Sequence, residues 1–158
     1  MNKLVRLQIG GAICAIALLA LVFAPMSVAA QGGATNVKTS ANLAPPEGAT
    51  NTNAKGKAKT LYRDNGNNVL QKLTITLQKV ERRTDYRIVI DGVELGIFSP
   101  KGNSGTITVK FRTPAKGNQD EIPAELGEVR DFALIEVFND ETGELALTGI
   151  FAAQPDGE

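Results

Sequence analysis

Carboxylates are the side chains of this sequence that come closest to forming a catalytic group. They fall into two runs: Asp120, Glu121, Glu125, Glu128 and Asp131, then Asp140, Glu141 and Glu144. Two carboxylates that flank a cleft can hydrolyse a glycosidic bond. Such clefts usually carry aromatic platforms, and the chain has no Trp. We therefore interpret these acids as solvated charges in loops and at strand edges.

Other catalytic groups are missing from the composition. The chain has no His, and its one cysteine is Cys14. A serine nucleophile needs an adjacent base, and Ser99 and Ser104 both lie in turn-forming sequence. We predict a protein that is not an enzyme, with no catalytic, cofactor-binding or metal-ligating residue. The oxygen-rich segment 139–144 could offer ligands to calcium, but it lacks the alternating ligands of a calcium loop, which favours a plain turn.

Basic residues suggest an interaction surface. Arg82 and Arg83 lie close in sequence to Arg87, which a predicted hairpin presents outward together with Glu94. We predict Arg82, Arg83, Arg87 and Glu94 as the surface that could touch a cell-surface polymer or a protein. Charges at a strand edge also discourage sheet-to-sheet aggregation, which is the alternative interpretation.

The N-terminus has the three parts of a secretory signal peptide. Lys3 and Arg6 precede the apolar stretch 7–24, Pro25 ends it, and small residues follow at 27–30. This pattern predicts a signal peptide over residues 1–30, cleaved to leave Ala30 or Gln31 as the new N-terminus. An uncleaved membrane anchor is the alternative. We expect the mature protein to work in the periplasm, at the cell surface or outside the cell, with no membrane span and no disulfide.

The net charge of the mature chain predicts no broad electrostatic field. Removing Lys3 and Arg6 leaves 15 basic and 17 acidic residues, a net charge of −2. A near-neutral chain of this kind is not expected to bind nucleic acid.

The mature chain divides by composition into three parts. Residues 31–53 are rich in Gly, Ala, Thr and Asn, with Val37 and Leu43 as their large apolar residues. This segment should bury too little to offset its ordering entropy, which predicts a disordered linker. A β-sandwich domain is predicted over 54–153, and 154–158 form a polar tail.

Period-two alternation dominates the predicted domain. In the first strands, Ala58, Thr60 and Tyr62 oppose Lys57, Lys59, Leu61 and Arg63, and Leu73, Ile75 and Leu77 oppose Lys72, Thr74, Thr76 and Gln78. Further strands are predicted at 86–90, 93–98, 106–111, 128–138 and 144–151. Seven strands predict an all-β, antiparallel β-sandwich, with a small β-barrel as the alternative.

The predicted core lies between the sheets. Its members are Leu73, Ile75, Leu77, Ile88, Ile90, Ile107, Val109, Phe132, Leu134 and Ile135. Asp91-Gly92 separates two apolar runs and predicts a two-residue type I′ hairpin. That turn would pair Ile90 with Val93 and Ile88 with Leu95.

Several of these segments also resemble a known group. The hairpin Ile88–Gly96, with its Asp91-Gly92 turn, and the final Leu147-Thr148-Gly149-Ile150-Phe151 carry the resemblance. The chain resembles a loose group of small secreted bacterial β-domains that have a "VxVDGxxxG" hairpin and end in "LxGxF". The resemblance implies the fold and contributes no functional residue.

Together these features predict a non-enzymatic, exported structural or interaction domain. One alternative is a carbohydrate- or surface-polymer-binding module, which Tyr62 and Tyr86 exposed on one sheet face would favour and their burial would oppose. A hydrolase that uses paired carboxylates is the other alternative, and it would need a deep pocket holding two of the acids.

Overall fold

The computed structural model of the chain describes residues 35–117 and 119–154. The predicted signal peptide and its cleavage site lie outside the described residues. Within these described residues nine strands follow one another: β1 Thr35–Leu43, β2 Lys55–Asp64, β3 Val69–Gln78, β4 Tyr86–Ile90, β5 Val93–Phe98, β6 Thr106–Thr113, β7 Leu134–Asn139, β8 Leu145–Ile150 and β9 Ala152–Ala153. A 3-10 turn, Ala124–Leu126, interrupts the long connection between β6 and β7.

The strands form two antiparallel sheets. One has five strands in the order β6-β3-β2-β1-β9, and the other has four in the order β5-β4-β7-β8. This arrangement confirms the predicted antiparallel β-sandwich rather than a closed barrel. The prediction of about seven strands lacks β1 and the two-residue β9.

The core fills the space between the two sheets. Eight of the ten predicted core residues are buried, and the exceptions are Val109 and Leu134, which are half-buried. The predicted inward position of Leu134 on β7 is wrong. Leu134 pairs with Ile150, whereas the next residue, Ile135, points inward and is fully buried. Because strand side chains alternate between faces, Leu134 must point outward.

The predicted disordered linker is wrong for the segment that forms β1. This strand pairs with β2 at nine positions, from Thr35 opposite Asp64 to Leu43 opposite Gly56. Leu43 is 3% exposed, and the buried hydroxyls of Thr39 and Thr60 are 2.6 Å apart. Backbone pairing with a neighbouring strand, together with the packing of small inward side chains, offsets the ordering entropy of the segment.

The connection from β1 to β2 is also attached to the domain. The Thr50 backbone N–H and hydroxyl both donate to the Glu144 carboxylate, at 2.9 and 3.0 Å. The Asn51 side-chain amide donates to the Lys79 carbonyl at 2.9 Å. The sandwich therefore begins at β1 and not at residue 54.

Only the second half of the predicted strand 128–138 is a strand. The Asp131 N–H donates to the Glu128 carbonyl in a tight turn, and β7 begins at Leu134. Val129 and Phe132 are nevertheless buried. Apolar residues in this loop thus fill the core without strand geometry, which is why a periodicity argument extends the strand too far.

The hairpin between β4 and β5 has the predicted turn but a different register. Asp91 and Gly92 have φ of 49° and 83°, as a type I′ turn requires, and Ile90 pairs with Val93. A bulge then places Gly96, not Leu95, opposite Ile88. The predicted pairing of Ile88 with Leu95 is therefore wrong, since the bulge inserts one extra residue into β5.

The sandwich is joined along one side and open along the other. On the joined side, Ala44 of the five-stranded sheet pairs with Thr148 of β8, and β9 crosses over to pair with β1. On the open side lie the edge strands β5 and β6, where the rings of Phe98 and Phe111 meet edge to face at 6.2 Å.

Candidate functional site

The structure divides the predicted interaction surface between two places. Arg82 and Arg83 are exposed in the loop between β3 and β4. Arg87 and Glu94 project from the outer face of the four-stranded sheet, in neighbouring rows. The Arg87 guanidinium lies 5.1 Å from the centroid of the Phe138 ring and 3.5 Å from the Asp140 carboxylate. Its charge is thus partly compensated within the domain.

Several carboxylates have structural partners in the fold. Glu128 forms an ion pair with Arg130 at 2.5 Å. The Asp91 carboxylate accepts hydrogen bonds from the N–H groups of Ala133 and Leu134, the shorter at 2.8 Å. Glu121 and Glu128 line one depression between β3, β6 and the 3-10 turn, with a volume of about 610 Å³. It is open to solvent, and the ion pair with Arg130 engages one of its two acids.

The segment 139–144 folds as a closed turn. The Asn139 side-chain oxygen accepts hydrogen bonds from the N–H groups of Glu141 and Thr142. The Glu144 carboxylate accepts two from Thr50, and these bonds lower the pKa of Glu144 below its ordinary value of 4.5. Three of the side chains that could have offered oxygens to a calcium ion, Asn139, Asp140 and Glu144, are thus already bound to protein donors. No group of three His, Cys, Asp or Glu residues suited to a metal ion occurs among the residues that the structure describes.

Both tyrosines are buried and lie in different environments. Tyr62 is 2% exposed, and the Arg130 guanidinium lies 4.4 Å from its ring centroid. Tyr86 is 3% exposed, and its hydroxyl accepts a hydrogen bond from the Glu81 N–H at 2.9 Å. Burial raises the pKa of both phenols above 10.0. Neither ring is available as a stacking platform for a sugar, which opposes a carbohydrate site built on these rings.

A groove of about 750 Å³ runs along the open side of the sandwich. Phe98 and Ile107 contribute to its apolar lining, and Lys101, Lys110 and Asp120 line it as well. The Arg112 N–H at the outer edge of β6 donates to the Asp120 carbonyl at 2.9 Å. Part of this edge is therefore covered by the chain itself.

The most unusual surface of the domain is the outer face of the five-stranded sheet, here called the basic face. Alternation along β2 directs Ala58, Thr60 and Tyr62 into the core and the odd-numbered residues outward. The corresponding residues of β1, β3 and β6 join them in one face. Its cations are Lys38, Lys55, Lys57, Lys59, Arg63, Lys72, Lys110 and Arg112.

Strand register places these side chains in continuous rows across the sheet. The three rows run Asn42–Lys57–Thr76–Thr108, Ser40–Lys59–Thr74–Lys110 and Lys38–Leu61–Lys72–Arg112. Directly paired residues on one face have Cβ atoms about 4.5–5.5 Å apart. The rows therefore form a contiguous surface of cations alternating with hydroxyl and amide groups.

No acidic side chain of the described residues projects from the basic face. Neither ion pair in the described part of the chain includes a residue of this face. Six of its eight cations are exposed, while Lys72 and Arg112 are half-buried. Two shallow depressions, of about 290 and 270 Å³, adjoin Lys57 in its middle. This arrangement attracts an anion over an extended area.

The sequence contains part of this site. Its alternation predicts outward Lys57, Lys59 and Arg63 on one strand, and outward Lys72 and Lys110 on two others. Sequence periodicity does not show that β2, β3 and β6 are neighbours in one sheet, which is what unites their outward faces. The signal that could have found the face is a count of cations at outward positions, made strand by strand.

Comparison with known proteins adds no identity. No family model, curated protein or solved structure matches the chain. The resemblance to the group of secreted β-domains therefore stays a prediction. Among the described residues, none forms a helix of the length and apolarity needed to cross a membrane.

Proposed function

We propose that the chain is a non-enzymatic interaction domain that acts outside the cytoplasm and binds an anionic partner through the basic face. The observation that carries the proposal is the segregation of charge. The mature chain has a net charge of −2, yet eight of its 15 cations share one sheet face with no acid. Solubility needs interspersed charges and not a face of one sign, so this distribution favours recognition.

The use of the acids supports a role without catalysis. Glu144, Asp91 and Asp140 each bind protein groups that hold loops to other parts of the fold. Glu128 accepts a hydrogen bond from the hydroxyl of Tyr62 on β2 at 3.4 Å, which joins its loop to the five-stranded sheet. A pair of catalytic carboxylates would instead face a cleft, with their oxygens turned toward a substrate.

The leader supports the location. A basic start, an apolar stretch, Pro25 and small residues direct a chain to export. Outside the cytoplasm, a domain without disulfides depends on its core for stability, and here the two sheets enclose that core. Anionic polymers are common at cell surfaces, so the basic face would meet a suitable partner there.

Lysine labelling in intact cells tests this proposal even while the partner is unidentified. A small amine-acetylating reagent is applied to cells that make the protein and, separately, to the purified mature domain. Peptide mass spectrometry then gives the labelling of each lysine. We expect severalfold protection of Lys55, Lys57 and Lys59 in cells. Lys101 and Lys116 are exposed but lie off the face, so they should label equally in both samples.

Equal labelling of the face lysines in the two samples would contradict the proposal. Protection of Lys101 and Lys116 to the same extent as the face lysines would contradict the assignment to this face. The mass of the purified protein also tests export, because cleavage should remove residues 1–29 or 1–30.

A further inference from the structure

We propose that the basic face binds a linear acidic polysaccharide whose carboxylates lie along β2. This inference rests on the proposed function and names the chemistry of the partner. β2 is the central strand of the five-stranded sheet, and Lys55, Lys57, Lys59 and Arg63 all project outward from it. Alternate residues of a strand are about 6.8 Å apart, so these cations form a ladder about 27 Å long.

The break in the ladder at Leu61 is filled from both sides. Leu61 pairs with Lys38 of β1 and with Lys72 of β3. A charged polymer that lies along β2 thus meets a cation at each outward position of the strand, except at Leu61, where the cations lie on the two neighbouring strands. A row of cations along one strand matches an extended chain with repeating charges better than it matches a single small anion.

Hydroxyl and amide side chains between the cations favour a sugar. Thr74 and Thr76 of β3 lie beside Lys59 and Lys57, and Ser40 and Asn42 of β1 lie on their other side. These groups both donate and accept hydrogen bonds. A phosphodiester backbone offers acceptors alone, whereas the hydroxyls of a polysaccharide also donate and can use the acceptors on this face.

Two other anionic partners fit the basic face less well. Binding of single-stranded nucleic acid relies on aromatic side chains on which bases stack, and the described residues of this face include no aromatic ring. Peripheral membrane binding usually inserts apolar side chains between the headgroups. The large apolar residues on this face are Leu61 and Leu70, and both are half-buried among polar neighbours.

The experiment measures binding of the full mature protein to four probes. Polygalacturonate represents a linear polyuronate, and dextran is its neutral control. Vesicles of equal phosphatidylglycerol and phosphatidylcholine represent a membrane, and a single-stranded DNA oligonucleotide represents nucleic acid. We expect binding to polygalacturonate that weakens with added salt and no binding to dextran, since screening acts on exposed charges.

Matched variants assign the binding to the face. The triple variant Lys57→Gln, Lys59→Gln, Lys72→Gln should weaken polygalacturonate binding at least about tenfold, about 1.4 kcal/mol. The control Arg82→Gln, Arg83→Gln, Lys101→Gln removes the same charge from exposed positions off the face and should change binding less than about twofold. The double variant Thr74→Val, Thr76→Val keeps every charge and should also weaken binding to polygalacturonate. Unchanged melting temperatures show that the variants are folded.

Each remaining outcome is decisive. Binding to vesicles or DNA in place of polygalacturonate would overturn the polysaccharide inference and leave the anion-binding function standing. Equal losses in the face and control variants would show general charge attraction and overturn the assignment to the face. An unchanged affinity of the Thr74→Val, Thr76→Val variant would overturn the role of the hydroxyls. No binding to any anionic probe would overturn both the inference and the proposed function.

Discussion

Replacement of Leu43 by alanine measures how much of the core depends on β1. Leu43 is the last residue of β1, is 3% exposed and packs near Gly56 and Leu77. Removing a buried leucine side chain costs about 2–5 kcal/mol, because transfer energy is lost and a cavity stays behind. A domain of roughly 120 residues has a free energy of unfolding of about 6–18 kcal/mol. The substitution should therefore remove a large part of the stability.

Urea unfolding, followed by far-UV circular dichroism and tyrosine fluorescence, measures this cost. We expect the midpoint to fall by about 1–3 M, from the cost above and the usual dependence on urea. The matched control is Lys38→Ala, at an exposed, outward position on the same strand. Its stability should stay within about 0.5 kcal/mol of the parent.

The comparison with Phe132 decides the interpretation. Phe132→Ala should also cost about 2–5 kcal/mol, because Phe132 is 5% exposed and its ring lies 5.8 Å from that of Phe151. A large cost at Phe132 with a cost below about 1 kcal/mol at Leu43 would show that β1 is not docked in the sheet. The linker interpretation of residues 31–53 would then return.

Three further predictions concern titration and the hairpin. Because the chain has two tyrosines and no Trp, phenolate absorbance should report both buried phenols. We expect the folded protein to show no phenol titration near pH 10.0 and its stability to fall as pH rises above that value. A normal titration in the folded state would contradict the burial of the two phenols. The lowered pKa of Glu144 contributes stability at pH values above its ordinary pKa of 4.5, and this stability is lost as pH falls through the pKa of the folded state. The parent should therefore be more stable than Glu144→Gln at pH 7, and the difference should shrink as the pH is lowered. A stability difference that does not depend on pH would exclude the ionised carboxylate as its cause. Gly92→Val should destabilise the domain by about 1 kcal/mol or more, because Gly92 has a φ of 83° and branched side chains tolerate that region worst. Gly92→Asn should have a smaller effect. Equal melting temperatures of the parent and Gly92→Val would rule out the strained turn.

Strands with strict alternation can be predicted from the sequence. In β3, Leu73, Ile75 and Leu77 alternate with polar residues, and all three are fully buried. The period of two determines the inward face as soon as one side is apolar. The same signal marks β2 and β6, so the all-β class follows from local pattern alone, whereas the choice between sandwich and barrel needs the strand order.

β1 alternates too, but with small residues. Val37, Thr39, Ala41 and Leu43 face inward, and Lys38, Ser40 and Asn42 face outward. The composition of this segment resembles that of a linker, because burial of Thr39 and Ala41 contributes little apolar area. Its stability comes from pairing with β2 and from the Thr39–Thr60 hydrogen bond. These contacts are made with residues distant in sequence, so the composition of residues 31–53 alone cannot predict them.

The bulge in β5 and the buried loop before β7 are not predicted from the sequence, for a related reason. A two-residue turn predicts register only as far as pairing stays regular, and the extra residue at Leu95 shifts it after one further pair. Phe132 belongs to the core as predicted, although the prediction rests on a strand that does not extend that far. A side chain can be buried without lying on a strand. The irregular loop is held by hydrogen bonds from the Ala133 and Leu134 N–H groups to Asp91, and it places Phe132 in the core.

The basic face shows the same limit for electrostatics. The full chain has 17 basic and 17 acidic residues, and such a balance leads to the expectation of no broad field, since an average over the chain cancels cations against acids. The fold undoes that cancellation. Antiparallel pairing of β1, β2, β3 and β6 brings outward cations from four strands together, while the acids lie in loops, in the core-side positions of strand ends and on the other sheet. Attraction for an anion depends on the local field within about 8–10 Å. The quantity that predicts binding is thus the charge of a sheet face, and that charge is defined only once the strand order is known.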